Sequence, residues 1–267
     1  RGITALVAVR GLLKQVAPDD GLILDANSGR LYINPPPSIR KEYPSAAVTF
    51  FNFGPLMLDL KDLRDLDLQE FIFPEDLHKL KKIERFTLAM PTRNVTLQGE
   101  IGLVASFRRT LHEFVELPRP SDSPLGDTLR WLMFRGWVDG PKMAWTLPQC
   151  PNNCGARDIH LVPNTPAQTF CPTCGGPVYT IDALRLHERV EEEQGAGAVT
   201  AYLLTTLEQL VMAHVIRTVL DLKKSFLSEV LFVKDGPLAF FGVVAPMRKP
   251  MQELCDYFDG SAGKPLL

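Results

Sequence analysis

The sequence lacks an excess of charge of either sign. Its 267 residues include 29 lysines and arginines and 31 aspartates and glutamates, which gives a formal net charge of −2 at pH 7. A strongly basic field over the whole surface is therefore excluded. Any binding of nucleic acid has to rely on a local basic groove, so the charge balance neither supports nor excludes DNA as a partner.

Long uninterrupted apolar runs are also missing. No stretch approaches the roughly eighteen consecutive apolar residues that a membrane-spanning helix needs, and the first residues do not have the pattern of a signal peptide. A composition of 45% hydrophobic and 22% charged residues is nevertheless sufficient for a large core. We therefore expect a cytoplasmic protein with no membrane contact.

Cysteines are few, but four of the five stand in two close pairs, Cys150 with Cys154 and Cys171 with Cys174. Four thiolates form a closed tetrahedral set for Zn²⁺, and the two glycines after the second pair let backbone amides approach the sulfurs. A disulfide is disfavoured without a secretion signal, and a redox pair is disfavoured because two pairs occur together. We predict structural zinc at these four residues and a buried apolar role for Cys255.

The region from Val199 to Val244 is predicted to be central to the fold. Between Thr205 and Leu222, apolar residues recur at helical spacing and predict a helix with one face in the core. The residues of that face are Leu207, Leu210, Val211, His214, Val215, Val219 and Leu222.

After this helix, Val230-Leu231-Phe232-Val233 predicts a strand buried on both faces, which Gly236-Pro237 ends. Asp235 would then stand at the carboxyl end of the strand, where the ligand crevice of an open α/β sheet lies. Glu208 projects from the preceding helix. One acid from a helix and one from a strand end suit a divalent cation, although Glu208 could instead face solvent or pair with Arg217.

A similar pattern occurs near the beginning of the chain. Gly21 to Asp25 predicts an apolar strand that ends in an acid and a turn, and Asp25 can also be explained as the start of an Asx turn. Leu31 to Ile33 and Ala46 to Leu60 predict further strands, neighbours of the first and antiparallel to it because the connections are short.

Helices are further predicted at residues 3–16, 59–67, 74–83, 101–115 and 250–258. In the helix at 101–115, Arg108, Arg109 and His112 are expected to face solvent or a phosphate backbone. Glu188 and Asp182 follow the cysteines, and local capping and ion pairing explain them most simply.

Three stretches together resemble bacterial NurA-type nucleases: Ile181 to Glu188, Leu207 to Leu210, and Lys234 to Gly242. The resemblance covers much of residues 21–247. It implies an α/β fold with an RNase H-like mixed sheet flanked by helices and a zinc-binding insertion. The domain organisation expected from it is a nuclease domain in two parts, 1–140 and 181–267, separated by the zinc insertion at 141–180.

The resemblance also implies a catalytic site. Asp25, Glu208 and Asp235 would bind Mn²⁺ or Mg²⁺ and carry out DNA cleavage, with Glu188 and Asp182 as competitors for the place of Glu208. The stretch after Asp25 departs from the Asp-Gly-Ser motif of the family. Carboxylates from separate elements suit this chemistry because hard cations prefer oxygen ligands.

The partners implied by the resemblance are DNA, a second copy of the chain in a homodimer, and a HerA-type hexameric ATPase that translocates DNA. Such pairs act in DNA-end processing during repair or in anti-phage defence. One alternative is a catalytically inactive RNase H-like module that binds DNA or docks a motor. A zinc-ribbon scaffold without nucleic-acid contact is a third reading.

Overall fold

The structure, a computed structural model, describes residues 22–25, 30–34, 36–37, 46–57, 85–118, 123–140, 142–223, 227, 229–234 and 240–262. The helices predicted at residues 3–16, 59–67 and 74–83 lie outside these residues, as does Asp235.

The regular structure of the described residues consists of short strands and longer helices. The strands are β1 (Leu22–Asp25), β2 (Arg30–Ile33), β3 (Ala47–Phe53), β4 (Phe86–Arg93), β5 (Trp145–Gln149), β6 (Arg157–Leu161), β7 (Gln168–Phe170) and β8 (Pro177–Tyr179). The helices are α1 (Gly102–Val115), α2 (Leu125–Met133), α3 (Gly197–Lys223) and α4 (Arg248–Ala262). Short 3₁₀ helices span Thr180–Leu184, Leu186–Arg189 and Gly242–Met247.

The strands pair two by two as antiparallel ladders, β1 with β2, β3 with β4, β5 with β6 and β7 with β8. A mixed α/β protein is therefore confirmed. A larger RNase H-like sheet is not present among these pairings of the described residues, and that fold stays a prediction.

The expected grouping of the first three strands is wrong for β3. This strand pairs with β4, a strand that was not predicted from the sequence. In the ladder, Phe51 lies opposite Leu88. Phe86, Leu88 and Met90 alternate along β4 and are buried. This alternation gives β4 an apolar face, which explains why it forms a strand against the core.

Helix α1 covers the buried face of β4 and confirms the helix predicted at 101–115. Its buried stripe consists of Leu103, Phe107, Leu111 and Val115, each at most 3% exposed. Since these residues recur every four positions, they lie along one face of the helix.

Helix α3 lies in the core, as its sequence predicts, and it packs beside α2, which was not predicted. Leu203, Leu207 and Leu210 are buried, and the His214 ring nitrogen Nδ1 lies 2.7 Å from the Thr128 hydroxyl of α2. The predicted apolar face is wrong at its end, because Leu222 is 73% exposed. Burial along the helix decreases after Ile216, so the last turns extend beyond the elements that cover the helix.

The same helix, over Gly197–Leu222, is long and apolar enough to cross a membrane by length and composition. Most of its apolar stretch is buried inside the structure, which is typical of a core helix in a soluble protein. The final helix predicted at 250–258 is confirmed by α4, where Leu254 and Phe258 are buried.

The strand predicted at Val230 to Val233 is wrong. Residues 230–234 have no regular structure, and the side chains of Leu231 and Val233 are 81% and 83% exposed. Strand formation depends on a partner and on burial more than on β-branched side chains alone. The run has no partner strand among the described residues, and only Phe232 packs against the core. Residues 230–234 therefore do not form the expected strand that leads into Asp235.

Candidate metal centre

The four paired cysteines form one compact cluster. Their sulfur atoms all lie within 4.8 Å of one another, and they belong to Cys150, Cys154, Cys171 and Cys174. The Cys150 and Cys174 sulfurs are 3.9 Å apart, and those of Cys154 and Cys171 are 3.7 Å apart. The cysteines are free thiols, so the cluster is not a pair of disulfides.

These distances fit a tetrahedral metal site. Zinc–sulfur bonds of about 2.3 Å in a regular tetrahedron place neighbouring sulfurs about 3.8 Å apart. Four sulfur donors are the set that structural zinc prefers, and they leave no open coordination position for a substrate. The cluster could therefore bind a metal ion such as zinc.

Two hairpins hold the cluster in place. Cys150 follows β5 and its backbone N–H donates to the Ala156 carbonyl at 2.8 Å, whereas Cys171 follows β7 and its backbone N–H donates to the Gly176 carbonyl at 2.9 Å. Gly175 adopts a φ of +68°, which L side chains rarely adopt. The next amide, that of Gly176, donates to the Cys174 sulfur at 3.4 Å, as the sequence predicted.

The thiols of Cys171 and Cys154 have pKa values shifted in opposite directions. Hydrogen bonds from the backbone of Cys174 and Thr173 lower the pKa of the Cys171 thiol to about 6. The pKa of Cys154 is raised to about 12: a backbone hydrogen bond with Ala156 lowers it, but desolvation and the three neighbouring thiols outweigh that effect. Four adjacent sulfurs cannot all carry charge unless a cation compensates them.

Comparisons of the chain with protein-family models, with curated proteins and with solved structures give no match. The metal centre is consequently supported by the geometry of its four sulfurs and by the spacing of the cysteines. The NurA-type resemblance stays a prediction from the sequence.

The three acids predicted to bind Mn²⁺ or Mg²⁺ are described to different extents. Asp25 ends β1, as predicted, and its backbone lies opposite that of Arg30 in the antiparallel ladder. Asp235 lies outside the described residues. Glu208 is one-third exposed, and its carboxylate lies 2.9 Å from the Lys234 ammonium. Its partner is therefore Lys234 and not Arg217. The Glu208 oxygens suit a hard cation, and this ion pair has to open for them to bind one.

The two competing acids have other roles. Asp182 is 2% exposed and accepts hydrogen bonds from Arg108. Glu188 pairs with Arg185 through both carboxylate oxygens, at 2.7 and 2.8 Å. The local explanation is confirmed for Glu188. Asp182 also has a local capping role, because it accepts a hydrogen bond from the Tyr179 backbone N–H at 2.8 Å, but its ion-pair partner Arg108 lies 74 residues away in the chain. Both carboxylates are thus engaged with arginines.

Arg108 is the main correction near the metal centre. It was expected to face solvent or phosphate, but it is only 4% exposed. The sequence contained a signal that could have revealed this. Arg108 precedes Leu111 and Val115 by three and seven positions, which places it on the buried stripe of α1.

A cavity of about 440 Å³ lies between the start of α1 and the first cysteine pair, with Arg108 and Asn152 in its wall. Glu192 forms another part of the wall. Its carboxylate accepts hydrogen bonds from the Leu103 and Val104 amides and so caps helix α1 from a distant point in the chain. The capped helix start and the loop between Cys150 and Cys154 thus form adjacent walls of one cavity.

Proposed function

We propose that the chain is a metal-dependent deoxyribonuclease of the NurA type with a structural zinc centre. Its Asp25, Glu208 and Asp235 would form the catalytic site, and it would act in the cytoplasm as a homodimer with a HerA-type ATPase. The biological role would be DNA-end processing or anti-phage defence. The zinc assignment is supported by the sulfur distances, and the nuclease assignment is supported by the sequence motifs together with one contact.

That contact is the ion pair between Lys234 and Glu208, with 2.9 Å between the ammonium nitrogen and a carboxylate oxygen. Lys234 directly precedes Asp235 in the sequence. The pair therefore brings the segment that leads into Asp235 alongside α3, where Glu208 lies. This proximity supports a shared site for the two acids, although the expected strand at Val230 to Val233 is absent.

The roles of the residues follow from their chemistry. The carboxylates of Asp25, Glu208 and Asp235 would supply oxygen ligands, and Lys234 would compensate the charge of Glu208 when no metal is bound. Mn²⁺ or Mg²⁺ in such a site supplies an activated water and stabilises the leaving oxygen of the phosphodiester. The four cysteines hold no position open for phosphate, so their metal would have a structural role.

The decisive experiment is cleavage of linear DNA by the purified chain in the presence of Mn²⁺. We expect Asp235→Asn to abolish cleavage, because the change keeps the shape of the side chain and removes its charge. Glu193→Gln, which alters an exposed acid outside the proposed site, serves as the control and should cut like the wild type. Near wild-type cleavage by Asp235→Asn, with zinc content unchanged, would show that the catalytic assignment is wrong.

The second candidate is an inactive module that binds DNA or docks a motor. It is favoured by the Lys234 ammonium, which already compensates Glu208 without any metal. Fluorescence anisotropy with labelled duplex DNA would distinguish the two candidates. Binding without cleavage at any Mn²⁺ or Mg²⁺ concentration supports the inactive module, whereas metal-dependent cleavage rules it out.

A further inference from the structure

The guanidinium of Arg108 connects the core to the cysteine cluster. On the core side, its Nε and Nη2 atoms donate to the two carboxylate oxygens of Asp182 at 2.8 and 2.7 Å. Both side chains are buried, with 4% and 1% of their area exposed. This is a two-point contact between a charged donor and a charged acceptor, a geometry that fixes the plane of the guanidinium.

The same guanidinium also contacts a residue beside each cysteine pair. Its Nη1 donates to the Asn152 side-chain oxygen at 2.9 Å, and its Nη2 donates to the Pro177 carbonyl at 2.8 Å. Asn152 lies between Cys150 and Cys154, and Pro177 lies three residues after Cys174. One side chain of α1 thus joins the flanks of the two pairs to each other and to the core.

The contact with Asn152 determines which way its amide faces. Arginine offers only donors, so the atom of Asn152 that faces Nη1 has to be the acceptor oxygen. The amide nitrogen Nδ2 then faces the Cys150 sulfur at 3.5 Å and the Pro177 carbonyl at 3.0 Å. The Asn152 backbone N–H donates to the same sulfur at 3.4 Å. Donors directed at a ligating sulfur stabilise the thiolate that a metal requires.

We propose that Arg108 is a positioning residue of the metal centre and acts through Asn152 on Cys150. This proposal rests on metal binding by the four cysteines, as stated under the proposed function, and is independent of nuclease activity. Metal loading and the packing of α1 are coupled through this chain of contacts.

The test is a zinc competition titration with a chromogenic chelator, on the full chain at constant pH. Arg108→Lys keeps the charge but cannot donate to all of these acceptors in the same geometry, and we expect it to lower zinc affinity about 10- to 100-fold. The control is Arg109→Lys, one position along the helix, where the side chain is partly exposed and pairs with Glu100 and Glu113. It should keep the affinity of the wild type.

A second variant separates positioning from general stability. Asn152→Asp retains an acceptor for Arg108 but replaces the Nδ2 donor by an oxygen that repels the thiolate. We expect it to bind zinc more weakly and release it faster, while circular dichroism of the loaded protein is unchanged. This variant also carries the test if Arg108→Lys does not fold.

The outcomes are distinct. Wild-type zinc affinity in Asn152→Asp, or in a folded Arg108→Lys variant, would overturn the positioning role and leave the zinc centre intact. A wild-type chain that binds no zinc would overturn the centre and the positioning role together. Loss of DNA cleavage alone would bear only on the nuclease proposal.

Discussion

Two ion pairs near the candidate sites differ in their exposure to solvent. Arg108 and Asp182 are 4% and 1% exposed, whereas Lys234 and Glu208 are 8% and 34% exposed. The buried pair also has neutral partners, since Arg108 donates to Asn152 and to the Pro177 carbonyl. The more exposed pair joins α3 to a segment without regular structure.

The difference in solvent exposure determines how easily each ion pair can separate. A buried pair with additional hydrogen bonds is fixed, because separating the charges leaves one of them in a medium of low polarity. Glu208 has a third of its side chain in solvent, so another cation can reach its carboxylate, but replacing Lys234 has a cost because that side chain is only 8% exposed. Asp182 is therefore a structural acid, and Glu208 is the acid whose carboxylate solvent and ions can reach.

The largest expected effect concerns the cysteine cluster. Cys171→Ser removes one sulfur ligand, and structural zinc contributes on the order of 10 kcal/mol to the folding of small zinc-binding units. We expect the variant to lose zinc on dialysis against a chelator and to unfold at a lower temperature, as measured by metal analysis and differential scanning calorimetry. Cys255→Ser, on α4, is the matched control and should keep its zinc. Zinc retained by Cys171→Ser would contradict the four-ligand centre.

Matched amide substitutions test the two ion pairs directly. Asp182→Asn leaves the Arg108 charge buried, so the free energy of unfolding should fall by about 3–5 kcal/mol. Glu208→Gln should cost less, about 1.5–3 kcal/mol, because Glu208 is partly solvated, although the Lys234 side chain that loses its carboxylate is only 8% exposed. Urea unfolding of both variants measures the difference. Equal losses would remove the distinction between a structural and an accessible acid.

A smaller effect is expected at the start of α1. Glu192→Gln keeps only one acceptor oxygen, so one of the Leu103 and Val104 amides loses its acceptor, and it removes the negative charge that favours a helix N-terminus. We expect a loss of about 1 kcal/mol in the free energy of unfolding by urea. The neighbouring Glu193→Gln is the control, and an equal effect of both changes would indicate that the cap contributes nothing.

The smallest expected effect is a pH dependence from His187. Desolvation by burial lowers its pKa, although the nearby Asp182 raises it. The unfolded chain therefore binds more protons below about pH 6.5, so the stabilisation is complete above that pH and is lost as the pH falls from there through the lower pKa of the folded state. Urea unfolding between pH 7.5 and 5.5 should have a smaller pH slope in His187→Gln than in the wild type. Zinc content is measured at each pH, because acid also protonates thiols.

The sequence predicted elements whose signal is local. The cysteine spacing located the cluster, and apolar spacing located α1 and α3, because both depend on residues a few positions apart. The burial of Arg108 depends on Asp182, which is distant in the chain. An arginine on an apolar stripe indicates a buried partner, but the sequence does not identify that partner.

The segment around Lys234 is a case in which the local pattern predicted a structure that does not form. Its β-branched and aromatic residues predicted a buried strand, yet Leu231 and Val233 are exposed and unpaired among the described residues. Strand pairing is a long-range property, so a local apolar run is insufficient. The pairing of β3 with β4 was missed for the same reason.

The most direct test of the four-cysteine metal centre is X-ray absorption at the zinc edge on the purified wild-type chain. The four-cysteine centre predicts one zinc per chain with four sulfur neighbours at about 2.3 Å. A chain without zinc, or a zinc surrounded by nitrogen and oxygen neighbours, would contradict it.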